Sequence, residues 1–169
     1  MAPHWGKITL MQLNYIANAG VPSSSGRLIP VIDPSDGKPF DELQRSNAQD
    51  IDAAVQAARQ CLDAVWSKLS AAERGRLLMK LSAKVAEHAD ELALIEQRDC
   101  GKPTKQARAD ALALVRYFEF YAGACDKLHG ETIPYQEGYS VFTWREPHGV
   151  TGHIIPWNYP MQIFGRSVG

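Results

Sequence analysis

The stretch Val150-Thr151-Gly152-His153-Ile154-Ile155-Pro156-Trp157-Asn158-Tyr159-Pro160 decides how this chain is read. Its first half is an apolar run without clean alternation, the pattern of a strand buried on both faces of a parallel sheet. A lone histidine in such a run, His153, reads as a satisfied core residue. The second half sets an asparagine between two prolines, and Pro160 fits the first turn of a helix continuing through Met161-Gln162-Ile163-Phe164-Gly165-Arg166. The stretch therefore predicts a strand, turn and helix, with Asn158 at the carboxyl end of the strand, where open α/β sheets place ligands. An asparagine amide offers two N–H donors and no charge, so it can stabilise an oxyanion that aspartate would repel. The plainer alternative is that Asn158 only satisfies backbone groups of its own turn.

Working outward, Leu28-Ile29-Pro30-Val31-Ile32 is extended and the turn Asp33-Pro34-Ser35-Asp36-Gly37-Lys38 follows, which together predict a hairpin over residues 27–40. Pro30 cannot donate to a ladder, so its strand is expected at an edge or bulge. Helical signals then dominate. Ser46-Asn47-Ala48-Gln49 reads as a capping box, followed by Ile51, Ala54, Val55, Ala58, Leu62, Val65 and Trp66 on one face. Ser70-Ala71-Ala72-Glu73 opens a second helix that is expected to run through Arg98 and stop at Gly101-Lys102-Pro103. A third runs from about Thr104 to Leu128, after which Ser140 to Arg145 reads as a strand.

Composition narrows the function classes. With 18 basic and 19 acidic residues in 169, the chain has no electrostatic footprint for nucleic acid or an anionic membrane surface. No apolar stretch approaches the length of a membrane span, and the N-terminus lacks the pattern of an export leader. The three cysteines, Cys61, Cys100 and Cys125, are far apart and lack C-x-x-C spacing, so neither a disulfide framework nor a metal site is expected. Cys61 and Cys125 read as small buried hydrophobes, while Cys100 sits at a helix end whose dipole would raise its pKa. The expectation is a soluble, cytoplasmic protein with a small-molecule partner.

The string from Glu146 to Pro160 resembles the E-P-x-G-V-x-x-x-I-x-P-W-N-F/Y-P segment of the NAD(P)-dependent aldehyde dehydrogenase superfamily. Asp33-Pro34-Ser35-Asp36-Gly37 resembles that family's early N-P-x-T/D-G turn. Gly101-Lys102-Pro103, Tyr121-Ala122-Gly123 and Gly130-Glu131-Thr132-Ile133-Pro134 match its further elements in order and spacing. The likeness extends from about Leu28 to Gly169.

The resemblance implies an α/β fold, of which this chain is the N-terminal part: a helical scaffold, part of the bridging or oligomerisation hairpin and the first strand of a Rossmann-like sheet. Its division would be an arm at 1–26, hairpin and helices at 27–130, bridging strands at 131–149 and a strand-turn-helix at 150–169. The implied reaction has a cysteine thiolate attack the aldehyde, a hydride leave for the nicotinamide of NAD or NADP, and a glutamate-activated water release the acid. On that analogy Asn158 is the side-chain half of the oxyanion hole. Ile154, Ile155, Pro156 and Trp157 line the cofactor, and Tyr159, Gln162 and Ile163 begin the wall of the substrate tunnel.

Family members carry the nucleophilic cysteine and base glutamate downstream of this asparagine, so residues 1–169 alone are expected to be inactive. The chemistry of release, hydrolysis or transfer to coenzyme A, stays open, as does the aldehyde. The family likeness also leads us to expect a homo-oligomer. A separate reading is a non-catalytic structural or partner-binding module that assembles through its helices.

Overall fold

The computed structural model describes residues 12–169. The export-leader reading of Met1 to Lys7, and much of the expected 1–26 arm, lie outside them.

Two hairpins precede the helices. β1 (Asn14–Ile16) and β2 (Ala19–Val21) pair antiparallel through Ala17 and Asn18, whose φ angles of 52° and 62° make the mirror-image turn that suits strand twist. Sequence reasoning has no hairpin here, because neither turn residue is glycine and each strand is only three residues long. β3 (Leu28–Ile32) and β4 (Pro39–Gln44) form the expected hairpin, closed by Gly37 at a φ of 71°. In this two-stranded sheet both strands are edges, which accommodates Pro30, and the register shifts between Val31 and Ile32.

The helices follow in sequence. α1 (Ala48–Ala64) is capped by Asn47, one residue later than the sequence suggests. The Asn47 side chain accepts from the Gln49 and Asp50 N–H groups, and Asp50 reaches back to the Asn47 N–H. A single 3₁₀ turn (Trp66–Lys68) leads to α2 (Ala71–Glu87), opened by the expected box of Ser70 and Glu73. The helix does not run through to Arg98: it breaks at His88, and α3 (Ala89–Cys100) restarts with Asp90 and Glu91 in its first turn, where acidic side chains favour a new N-terminus. Gly101, with a φ of 70°, ends α3. α4 (Thr104–Ala124) stops four residues before the expected Leu128.

α4 is the spine. Its Ala107, Ala111, Leu114 and Phe118 are buried against Val85 of α2, Ala89 and Ala93 of α3, and Met161 of α5 (Pro160–Val168). Two glycines set how closely the helices approach. A Cβ on Gly75 would lie 2.6 Å from the Ala122 carbonyl oxygen, and one on Gly165 would lie 2.8 Å from Leu114 Cδ1. The expected apolar stripe of α1 is mostly uncovered. Ile51 is exposed and only Asp50 of that helix is buried, since α1 packs on little besides β1 and the 3₁₀ turn.

β5 (Thr132–Ile133) and β6 (Val141–Phe142) form a short hairpin, so the strand expected over 140–145 is reduced to two residues. Residues 150–155 form no strand. The segment is extended and open, with Ile154 98% exposed and His153 at the surface sharing a hydrogen bond with Thr151. The buried strand and core histidine read from sequence are corrected on this point. A parallel strand needs a neighbour, and every described sheet is a two-stranded antiparallel pair. No described helix is long and apolar enough to cross a membrane.

Candidate active-site turn

The extended segment carries the chain to a turn at Trp157 and Asn158, and Tyr159 then caps α5, whose first residue is Pro160, as expected. Asn158 is exposed, and among the described residues its side chain has no hydrogen-bond partner. Its amide is therefore not consumed by the turn.

The turn is fastened from below. Cys100 Sγ donates to the Trp157 carbonyl at 2.9 Å, and Lys102 Nζ lies 4.3 Å from the centre of the Tyr159 ring. One helical turn on, Gln162 Nε2 donates to Asp110 Oδ1 at 2.7 Å. Lys102 and Asp110 belong to one buried cluster. Lys102 Nζ donates to Asp110 Oδ2 at 2.6 Å and to Glu96 Oε1, while Gln106 adds a 2.8 Å bond to Asp110. Asp110 is fully buried and Glu96 is 3% exposed.

Burial works against the Asp110 charge, but the bonds from Lys102, Gln162 and Gln106 outweigh it and hold the carboxyl below its usual range. For Lys102, too, burial is outweighed, here by Asp110 and Glu96, so the ammonium stays charged beyond its usual range. Glu96 moves upward because burial dominates, and its Oε2 is buried without a partner among the described residues. A buried pair of this kind is costly to break, about 3–5 kcal/mol when one partner is removed.

Beside the turn lies an open apolar groove of about 400 Å³, lined by Val85, Leu92 and Leu114 and by Ile155, Met161 and Phe164. The residues assigned from sequence fall around it unevenly. Ile155 faces this groove, whereas Ile154, Pro156 and Trp157 form an exposed strip leading to Asn158. Tyr159 stacks on Lys102, the Gln162 amide is spent on Asp110, and Ile163 is half-buried on α5.

The cysteines differ from one another. Cys61 is exposed, which corrects its reading as a buried hydrophobe, and Cys125 is half-buried with its thiol on the Tyr121 carbonyl. The Cys100 thiol is pushed up to about 11, first by burial and then by the Asp99 and Glu96 carboxylates. The direction matches the sequence expectation, but the cause is burial and neighbouring carboxylates rather than the helix dipole.

Glu96, Lys102 and Asp110 escaped sequence reasoning, which saw Lys102 only as part of a helix stop. A signal did exist: Glu96 follows Ala93 by three residues, and Asp110 sits between Ala107 and Ala111, so both acids interrupt otherwise apolar faces.

The sequence pattern that describes the aldehyde dehydrogenase family matches residues 21–169. Human retinal dehydrogenase 2 is 45% identical over 157 residues, covering 91% of this chain and 30% of that protein. Among solved structures, a Burkholderia cenocepacia protein assigned as an aldehyde dehydrogenase superposes with a TM-score of 0.89 at 64% identity, covering 92% of this chain and 33% of that one. PnpE in complex with nicotinamide adenine dinucleotide superposes at 0.86 with 36% identity, covering 92% and 32%. The chain thus spans about a third of the length of the relatives it matches. Motif, helical scaffold and these likenesses agree, and the chain belongs to the aldehyde dehydrogenase family.

Proposed function

We propose that this chain supplies the side-chain half of the oxyanion hole, and one wall of the cofactor site, of an enzyme that oxidises an aldehyde to a carboxylic acid with NAD or NADP. The observation that carries the reading is the Asn158 amide, exposed in a proline-bracketed turn and without a bond among the described residues. An uncharged donor left free by its own turn is available when negative charge develops on the aldehyde oxygen, and removing such a donor typically lowers turnover about 10²–10³-fold.

The residues present fit one side of the dinucleotide. Ile154, Pro156 and Trp157 offer an open apolar strip of the kind that packs against a ribose and a nicotinamide face, and a relative was solved with NAD. When bound, the dinucleotide accepts the hydride. Tyr159 and Ile163 would begin the wall against which the aldehyde's carbon chain lies.

None of the three cysteines suits the nucleophile's role: Cys100 is held as a thiol, Cys61 lies on outlying α1 and Cys125 points at a helix carbonyl. The attacking thiol and the base are read as coming from outside residues 1–169, and this segment by itself as inactive. The test is reduction of NAD or NADP by the protein as its source produces it, against a panel of aldehydes. Asn158→Ala is expected to lower kcat about a hundredfold or more with little change in KM for the cofactor. A fall in kcat accompanied by an equal rise in KM for the cofactor, or no fall in kcat, overturns the assignment.

A second reading, a non-catalytic module that assembles through its helices, draws support from apolar side chains the helices leave exposed, among them Ile51 on α1, Leu77 and Leu81 on α2 and Phe120 on α4.

A further inference from the structure

Five side chains from four parts of the chain converge under the Asn158 turn: Glu96 at the end of α3, Lys102 in the loop after it, Gln106 and Asp110 on α4, and Gln162 on α5. Two of the contacts leave the cluster toward the turn. Lys102 meets the face of Tyr159, the residue after Asn158, and Asp110 takes the Gln162 amide one helical turn further on.

We propose that Lys102, clamped between Glu96 and Asp110, is a positioning residue for Asn158, fixing the turn through the Tyr159 ring while Asp110 fixes the start of α5 through Gln162. The inference rests on the reading of Asn158 as an oxyanion donor. Besides Lys102, the turn is held by the weak thiol bond from Cys100 to the Trp157 carbonyl and by the helix bond from the Ile163 N–H to the Tyr159 carbonyl, neither of which fixes the Tyr159 ring.

Three features favour positioning over mere packing. The cluster is built from buried charges, which often add little stability over apolar packing, and such groups are best suited to fixing one arrangement of the side chains around them. The cation stands between two carboxylates that fix its place, so the side chain touching Tyr159 has little freedom. Finally, Cys100 holds the chain just before Asn158 at the Trp157 carbonyl and the cluster holds it just after, at Tyr159 and Gln162, while among the described residues the Asn158 side chain has no partner. That is the arrangement by which a neighbour can aim a donor without competing for its hydrogens. A misplacement of about 1 Å can cost on the order of a hundredfold in rate, so even a partial loosening is measurable.

A double-mutant cycle tests this in the whole protein, with kcat and the KM for NAD measured using the best aldehyde of the panel. Lys102→Met is expected to lower kcat about tenfold on the native background, with KM for NAD within about twofold, and to have less than about a twofold effect once Asn158 is alanine. Lys102→Arg, which keeps the cation, should recover most of the lost rate. Equal tenfold losses on both backgrounds would mean that Lys102 acts on the fold at large, and the inference falls. A normal kcat for folded Lys102→Met, beside a hundredfold loss in Asn158→Ala, also sinks it while leaving the proposed reaction standing. If Asn158→Ala itself leaves kcat unchanged, both fall together. Should Lys102→Met not fold, as judged by circular dichroism, Gln162→Leu takes its place in the same cycle, with the same non-additivity expected and the same additive result overturning it.

Discussion

Asp50 holds its charge by three hydrogen bonds, from the Ser24 N–H at 2.8 Å, the Asn47 N–H at 2.9 Å and the Ser23 hydroxyl at 2.8 Å, and so ties the 23–25 loop to the start of α1. Those bonds, the Ser24 N–H foremost, lower its pKa from the ordinary 3.8 to about 2. Because the folded value is the lower one, its contribution to stability is complete above the unfolded pKa and is lost as pH falls through the folded one. Asp50→Asn should therefore lower the melting temperature at pH 7, with the difference from the native protein shrinking between about pH 4 and pH 2. Thermal scans across that range check it, and a constant difference would count against the linkage. Cys100 makes the opposite kind of statement. With its thiol near 11, its thiolate fraction at pH 8 is about a hundredth of that of an ordinary cysteine at 9.0. Exposed Cys61 should be alkylated by iodoacetamide at least about tenfold faster, as read by peptide mass spectrometry.

Among the elements, the helices were the most legible. Ser70 with Glu73, Gly101 at the end of α3 and Pro160 at the start of α5 all act where their chemistry says they should. The misplaced boundaries have local causes: Asn47 outcompeted Ser46 as a cap because Asp50 stood ready to return the bond, and the acidic pair after His88 favoured a fresh helix start. Hidden from the sequence was which glycine mattered. Gly75 is buried where α2 crosses α4, and the atom a methyl group would meet is the backbone oxygen of Ala122, which cannot swing aside. Gly75→Ala should cost about 1–3 kcal/mol in urea unfolding, since the helices must part to admit it. By contrast, alanine at Gly123, which faces open space, should be neutral or stabilising because glycine inside a helix is itself unfavourable.

Over the whole molecule, burial is lopsided. The core collects along α4, whereas the β5–β6 hairpin leaves Tyr135, Tyr139, Phe142 and Trp144 each at least 65% exposed. Exposed aromatics gathered on one short segment, two of them with rings 5.8 Å apart, favour association. Sedimentation velocity of the whole protein is expected to show an oligomer, and Phe142→Ser with Trp144→Ser to shift it toward smaller species. An unchanged distribution would place the contact elsewhere.

What the sequence determined by itself was local and chemical. Caps, stops and the Pro-Trp-Asn-Tyr-Pro turn follow from which residues can adopt which backbone angles and donate which hydrogens, and the family motif can be read from them directly. Only the tertiary structure decided where charge is buried and which apolar runs find partners. Lys102 joined Glu96, six residues back, and Asp110, eight residues on, because α3 and α4 fold side by side. Val150 to Ile155 stayed open because a parallel strand exists only where another chain segment supplies its hydrogen bonds, which is a property of neighbours and not of the residues themselves.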